Sequence, residues 1–178
     1  VYNSRQVIRR ALRDHGLLLN TQALEKVSAL LKQVLGSIQG SQSKVELLAL
    51  EGAAAKAYFN IFDQLILQQK NDFYFNERSR RPPLDRTNSL LSFLYSLLTN
   101  EVASSLEGVG LDPYVGFLHT DRPGRPSLAL DLMEELRPVF ADRLALSLIN
   151  RRQVTGSGFL IKESGGVLMD DDTRRIVL

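Results

Sequence analysis

The sequence predicts a mainly α fold, a multi-helix domain with a small β-hairpin near the C-terminus. Apolar residues recur at three- and four-residue spacing through most of the chain, and capping residues stand ahead of several of those runs. Beyond Gly156 the pattern changes to two short apolar segments, Phe159 to Lys162 and Val167 to Met169, around a Glu-Ser-Gly-Gly turn.

Ser4 to His15 reads as a first helix. Leu24, Val27, Leu30, Leu31, Val34 and Ile38 share one face of an amphipathic helix starting near Thr21, which Gly36, Gly40 and the Ser-Gln-Ser segment bring to a break. Ser43 followed by Glu46 fits a capping box, and the helix it opens is expected to run to about Gln69. Asn71 to Pro83 lacks periodicity and ends in Arg-Arg-Pro-Pro, whose prolines disfavour helix before them; it reads as a long basic loop. Asp85 or Thr87 is placed to cap the next helix, with Leu90, Leu94, Leu97, Leu98, Val102 and Leu106 as its buried stripe. Gly108, Gly110, Asp112-Pro113 and Gly116 open a second loop, which carries His119 and ends at Pro126. Ser127 is placed to cap a helix beginning at Leu128, with Leu128, Leu132, Leu136 and Val139 on its packing face. Pro138 kinks that helix or starts a successor through Asn150, along which Phe140, Leu144 and Leu148 are spaced by four.

One domain spanning residues 1–178 is expected, with amino-terminal helices over 1–40 and the hairpin and tail over 157–178. A chain of this length removes roughly 70% of its unfolded surface from water, enough for a real core. Its composition, 44% hydrophobic and 24% charged, is that of an ordinary globular protein. Apolar runs such as Leu128 to Leu130 are far too short to cross a bilayer, so no membrane partner is expected. Val1 to Arg5 leads into a charged amphipathic stretch rather than an apolar signal segment. With no cysteine there are no disulfides and no thiolate metal sites, and the expected compartment is the cytoplasm. A net charge of +2 does not by itself announce a nucleic-acid partner, but the arginines are clustered: Arg78, Arg80 and Arg81, then Arg122 and Arg125, then Arg151 and Arg152.

Three places could carry chemistry. Glu51 shares a helical face with Ala54, Tyr58 and Phe62, so its carboxylate points towards an apolar stripe, where it must be paired, protonated or bound to a metal. Gly52 to Ala55 after it are small and let a ligand or another backbone come close. Asp131 and Glu134 lie three apart on one helical face, where like charges favour a cation or arginine partner. His119 is one of two histidines and sits in the loop just before them. Histidine and carboxylates without sulfur suit Mn2+ or Mg2+. By spacing alone these residues equally fit a glutamate paired with arginine, an exposed acidic first turn and an ordinary surface histidine.

Four segments resemble the CRISPR-associated spacer-acquisition integrase and endonuclease family. Leu50-Glu51-Gly52-Ala-Ala-Ala-Lys56-Ala-Tyr58-Phe59 is similar to the helix that supplies the family's metal-binding glutamate. The stretch from Arg78 through Asn88 to Phe93 is similar to its basic loop and following helix. Gly110 to His119 and Arg125 to Arg137 look like its histidine loop and acidic helix, and the resemblance covers nearly the whole chain.

The resemblance implies the helical catalytic domain of a metal-dependent DNA endonuclease and integrase that inserts spacer DNA into a CRISPR array. Glu51, His119 and Glu134 would be catalytic metal ligands for Mn2+ or Mg2+, with Asp131 a second acidic position near the site. Arg78, Arg80, Arg81, Arg122 and Arg125 would contact DNA. Family members carry an amino-terminal β-rich domain, absent from these residues, so a fragment is expected; the full-length family forms homodimers bridged by a small adaptor protein. The rival readings are a non-catalytic helical DNA-binding or assembly domain, with Glu51 paired to an arginine, and a purely structural bundle that keeps His119 and Glu134 far from Glu51.

Overall fold

A computed structural model describes residues 1–120 and 122–178. Among them are seven α-helices: α1 (Tyr2–His15), α2 (Thr21–Gly40), α3 (Lys44–Asn60), α4 (Arg86–Gly108), α5 (Ser127–Leu136), α6 (Arg143–Asn150) and α7 (Asp171–Val177). A single two-stranded antiparallel sheet pairs β1 (Phe159–Ile161) with β2 (Val167–Met169), Leu160 opposite Leu168. Helices α1, α2 and α3 pack in sequence, each on the next. Helix α4 is the central rod, touching α5, α6 and β2.

The predicted stripes form the core, except that Leu30 of α2 is exposed. Leu24, Leu31 and Val34 of α2, Ala54 and Tyr58 of α3, and Leu90, Leu91 and Leu94 of α4 are buried in one continuous cluster. The far end of α4 makes a smaller cluster in which Val102 and Leu106 meet Ala129. The caps follow the side-chain chemistry. Asn20 accepts from Ala23 N, Ser43 Oγ from Glu46 N at 3.1 Å, and Asp85 Oδ1 from Asn88 N at 2.7 Å. The return bond of the capping box is displaced by one residue, because Glu46 accepts from Gln42 N and Ser41 Oγ rather than from Ser43 N.

Four expectations need correction. Helix α3 stops at Asn60, not near Gln69, and Phe62–Leu65 form one 3-10 turn. The chain turns away because Asp63 Oδ1 accepts from Phe75 N at 2.8 Å and Asn150 Oδ1 accepts from Leu67 N at 2.7 Å, both across long stretches of sequence. Ser127 does not cap α5: its hydroxyl donates to Thr120 O, and the free N–H groups of Leu128 and Ala129 donate to Pro113 O. Leu132 is exposed, and α5 buries Ala129 and Met133 instead. Phe140 and Leu144 are exposed as well. Pro138–Asp142 form a wider π-turn whose extra residue rotates the face, so that Ala141, Ala145, Leu148 and Ile149 point inward.

Candidate functional site

Helices α3 and α5 bring Glu51 and Glu134 to a common boundary. Glu51 is half-buried where α3 turns its Ala54 and Tyr58 face inward, and Glu134 lies one residue after the buried Met133. The two glutamates, with Arg137, line both of the clefts that meet there. One cleft runs beside the start of α1 and the other beside Lys56, Asn60 and Arg80. Burial pushes the Glu134 carboxyl up. The Arg137 guanidinium, paired with it, opposes that rise, and the nearby negative charge of Glu51 adds to it.

His119 is held by α5. Asp131 Oδ1 accepts from His119 N at 2.9 Å and faces His119 Nδ1 at 2.7 Å, while Oδ2 accepts from Phe117 N at 2.6 Å and Leu118 N at 2.9 Å. Burial alone would raise the Asp131 carboxyl, but the His119 ring and the backbone N–H groups outweigh it and hold it below the ordinary carboxylate range. An ionised carboxylate can only accept, so Nδ1 of His119 carries the proton in this bond, and Nε2 is the ring nitrogen that Asp131 leaves unengaged. A carboxylate bonded to one ring nitrogen in this way fixes a histidine's orientation and tautomer. Gly116 makes the turn possible: a Cβ there would stand 2.6 Å from Ser127 Cβ and 2.9 Å from His119 O.

Among the described residues no three of His, Asp and Glu stand close enough to hold a metal ion. Glu134 faces the guanidinium of Arg137, and His119 faces Asp131. In donor chemistry Glu51, Glu134 and His119 Nε2 fit a hard divalent cation. The raised carboxyl of Glu134 beside Glu51 is where such a cation relieves electrostatic cost.

The predicted arginines divide. Arg80, Arg81 and Arg122 are exposed and Arg125 is half-buried, and among the described residues none has a side-chain partner. Arg78 is turned inward. It donates to Ser79 O at 2.5 Å, to Asn88 Oδ1 at 2.7 Å and to Ser92 Oγ at 3.1 Å, and stacks over the Tyr95 ring, with its charge disfavoured by burial. Sequence reasoning missed the partners behind it. Arg137 lies over the same ring at 4.7 Å, and Tyr95 Oη donates to the fully buried Asp142 at 2.5 Å. The i, i+3 spacing of Glu134 and Arg137 was the one local sign of that network.

The family described as CRISPR associated protein Cas1 matches residues 1–178. The chain belongs to the Cas1 family. It is similar to the CRISPR-associated endonuclease Cas1 2 of Rhodospirillum rubrum, 54% identical over 185 residues, covering 100% of this chain and 53% of that protein. Solved structures superpose over almost all of it. A CAS1 protein from Thermotoga maritima gives a TM-score of 0.76 at 29% identity, covering 98% of this chain and 54% of that one. A casposase bound to integration product gives 0.80 at 26% identity, covering 99% and 49%. The chain spans about half the length of this Rhodospirillum rubrum relative and of a Chlorobaculum tepidum one. Among the described residues no helix is long and apolar enough to cross a membrane.

Proposed function

We propose that this chain carries the reacting site of a metal-dependent DNA endonuclease and integrase that moves phosphodiester bonds during the capture and insertion of spacer DNA. What supports it is one arrangement: two carboxylates line the same cleft as Leu118, and the next residue, His119, is oriented through its Nδ1 by Asp131. Membership of the Cas1 family and the likeness to a casposase bound to integration product support the substrate class. Glu51, His119 and Glu134 would hold Mn2+ or Mg2+, which when bound supplies positive charge for the attacked phosphate. Asp131 orients the imidazole by accepting the hydrogen bond from Nδ1. Arg80 at the cleft, with Arg81, Arg122 and Arg125 from the two loops, offers guanidinium groups for phosphate contacts that position DNA without reading its sequence. Arg78 supports this surface from behind. Full-length homodimers, joined by a small adaptor protein, would complete the machine.

The rival reading of a non-catalytic assembly domain requires Glu51 to be paired with an arginine. Among the described residues Glu51 has no ion pair, which favours the catalytic reading. Glu51→Ala and His119→Ala, placed in an intact protein, are expected to abolish manganese-dependent strand transfer while leaving the circular dichroism spectrum and melting temperature in place. Undiminished transfer by either folded variant overturns the assignment.

A further inference from the structure

The cleft beside Glu51 and Glu134 does not end at the start of α1. Its wall there is Val1 to Ser4 on one side and Glu134 to Pro138 on the other. The next cleft has Gln6 to Arg13 of α1 facing Val139 and Arg143, and the next has Val7 to Leu18 facing Arg143 to Arg151. The same two stretches of chain run side by side in the same direction, so the three clefts follow one another along one furrow between them, the last two sharing Val7, Arg10 and Arg143. From Ser4 to Asp14 alone, α1 carries it about 15 Å at the helical rise.

Along this length the charge reverses. The site end has Glu51, Glu134 and Glu135 against the single arginine Arg137, whereas the far end has Arg9, Arg10, Arg13, Arg143 and Arg151 against the single carboxylate of Asp14. Asp14 is shared between Arg10 and Arg13, at 3.2 and 2.9 Å. Arg9, Arg143 and Arg151 are exposed and have no side-chain partner among the described residues. Arg143 and Arg151 differ by eight residues and so stand on one side of α6, about 12 Å apart along its axis. Five arginines gathered in a chain whose net charge is +2 are a local field rather than an average surface.

We propose that this arginine-lined half of the furrow is a second DNA-backbone site, holding the phosphates of the DNA that flanks the reacting phosphodiester bond. The inference rests on the function proposed above and adds a surface to it. An extended polyanion fits better than a small anion, because the arginines are exposed and spread along an open trough that leads into the candidate site. Opposed guanidinium groups on α1 and α6 grip a strand from both sides.

The test uses a fluorescently labelled DNA duplex and the 178-residue chain, with affinity measured by anisotropy over a series of salt concentrations. Arg143→Ala combined with Arg151→Ala is expected to lower the slope of log affinity against log salt by about 2, close to 0.9 for each phosphate that is no longer neutralised. Arg143→Lys with Arg151→Lys is expected to restore most of the slope. Arg175→Ala, at an exposed arginine of α7 outside the three clefts, is expected to leave it unchanged. If the parent chain binds the duplex and the double alanine variant matches it in slope and affinity, the furrow site is wrong and the proposed function stands. If the parent chain does not bind the duplex at all, the furrow site falls, and the proposed function is decided by the strand-transfer variants of the intact protein. A third outcome also overturns the DNA assignment: vesicles of equal parts phosphatidylserine and phosphatidylcholine lose binding to the variant while duplex binding is untouched.

Discussion

Residues 66–85 and 109–126 are both long connections beside the candidate site, yet the first is anchored by its side chains and the second by its backbone. In the first, Phe73 and Phe75 are buried, Phe75 against Phe62 with ring centroids 5.0 Å apart, and the turn towards α4 closes on the buried Asn88. The Asn88 amide donates to Glu77 O and Asp85 Oδ2 and accepts from Ser79 N and Arg78. In the second, Pro113 alone is buried among the described residues, while Val109, Leu111, Tyr114, Val115 and Phe117 are exposed. That loop is fastened by α5, through Asp131 and through the N–H groups that donate to Pro113 O. A connection held by packing supplies a rigid wall. One held largely by a single carboxylate supplies a histidine whose position is set by that carboxylate.

The widest separation between the loops comes from matched truncations. Phe75→Ala is expected to destabilise the chain by about 3–5 kcal/mol, the usual cost of emptying an aromatic site in a core. Phe117→Ala, at 77% exposure, is expected to stay within about 0.5 kcal/mol. Urea unfolding of both variants measures the difference, and similar losses would mean that the loops are anchored alike.

This contrast also explains what the sequence disclosed. The helical stripes of α2 and α4 and the inward face of Glu51 depend on spacing within one element, and spacing is written in the chain. The end of α3 was not, because Ile61 and its neighbours carry no glycine or proline. The helix stops through bonds from Asp63 and Asn150 to partners in other elements. The face of α6 was misread because one widened turn after Pro138 shifts every later residue. At the site, Glu51 was legible from amphipathicity, whereas His119 rested on family resemblance. Asp131 looked like a second acidic position near the metal. Its actual place, beneath three consecutive backbone N–H groups of the histidine loop, needs the loop's path and cannot be had from a helical wheel.

Asp131 therefore gives the next largest effect. Asp131→Ala removes the staple and the Nδ1 partner together, and is expected to lower strand-transfer activity of an intact protein, or its metal affinity, by about 10–100-fold. Hydrogen exchange is expected to rise at Phe117, Leu118 and His119 and to remain unchanged at Phe73 and Phe75. Equal loss of protection in both loops would show that Asp131 supports the fold as a whole rather than the histidine loop.

The smallest effect concerns the group that links the first loop to α5. Asp142 is fully buried, and burial raises its carboxyl from the ordinary 3.8 to about 6 against the hydrogen bond from Tyr95 and the charges of Arg137 and Arg78. Those two arginines stack over Tyr95, one from the anchored loop and one from the residue after α5. The folded carboxyl holds its proton more tightly than the unfolded one, so between 3.8 and about 6 the folded state binds more protons. Stability is then highest below this window and falls as pH rises through it, by at most about 1.4 kcal/mol per pH unit for one proton. Asp142→Asn keeps an acceptor for Tyr95 Oη and removes the titration, so its urea midpoint is expected to fall less than the parent's across the same window. An unaltered pH dependence in the variant would place the titration on other carboxyls and would mean that burial does not raise the Asp142 carboxyl.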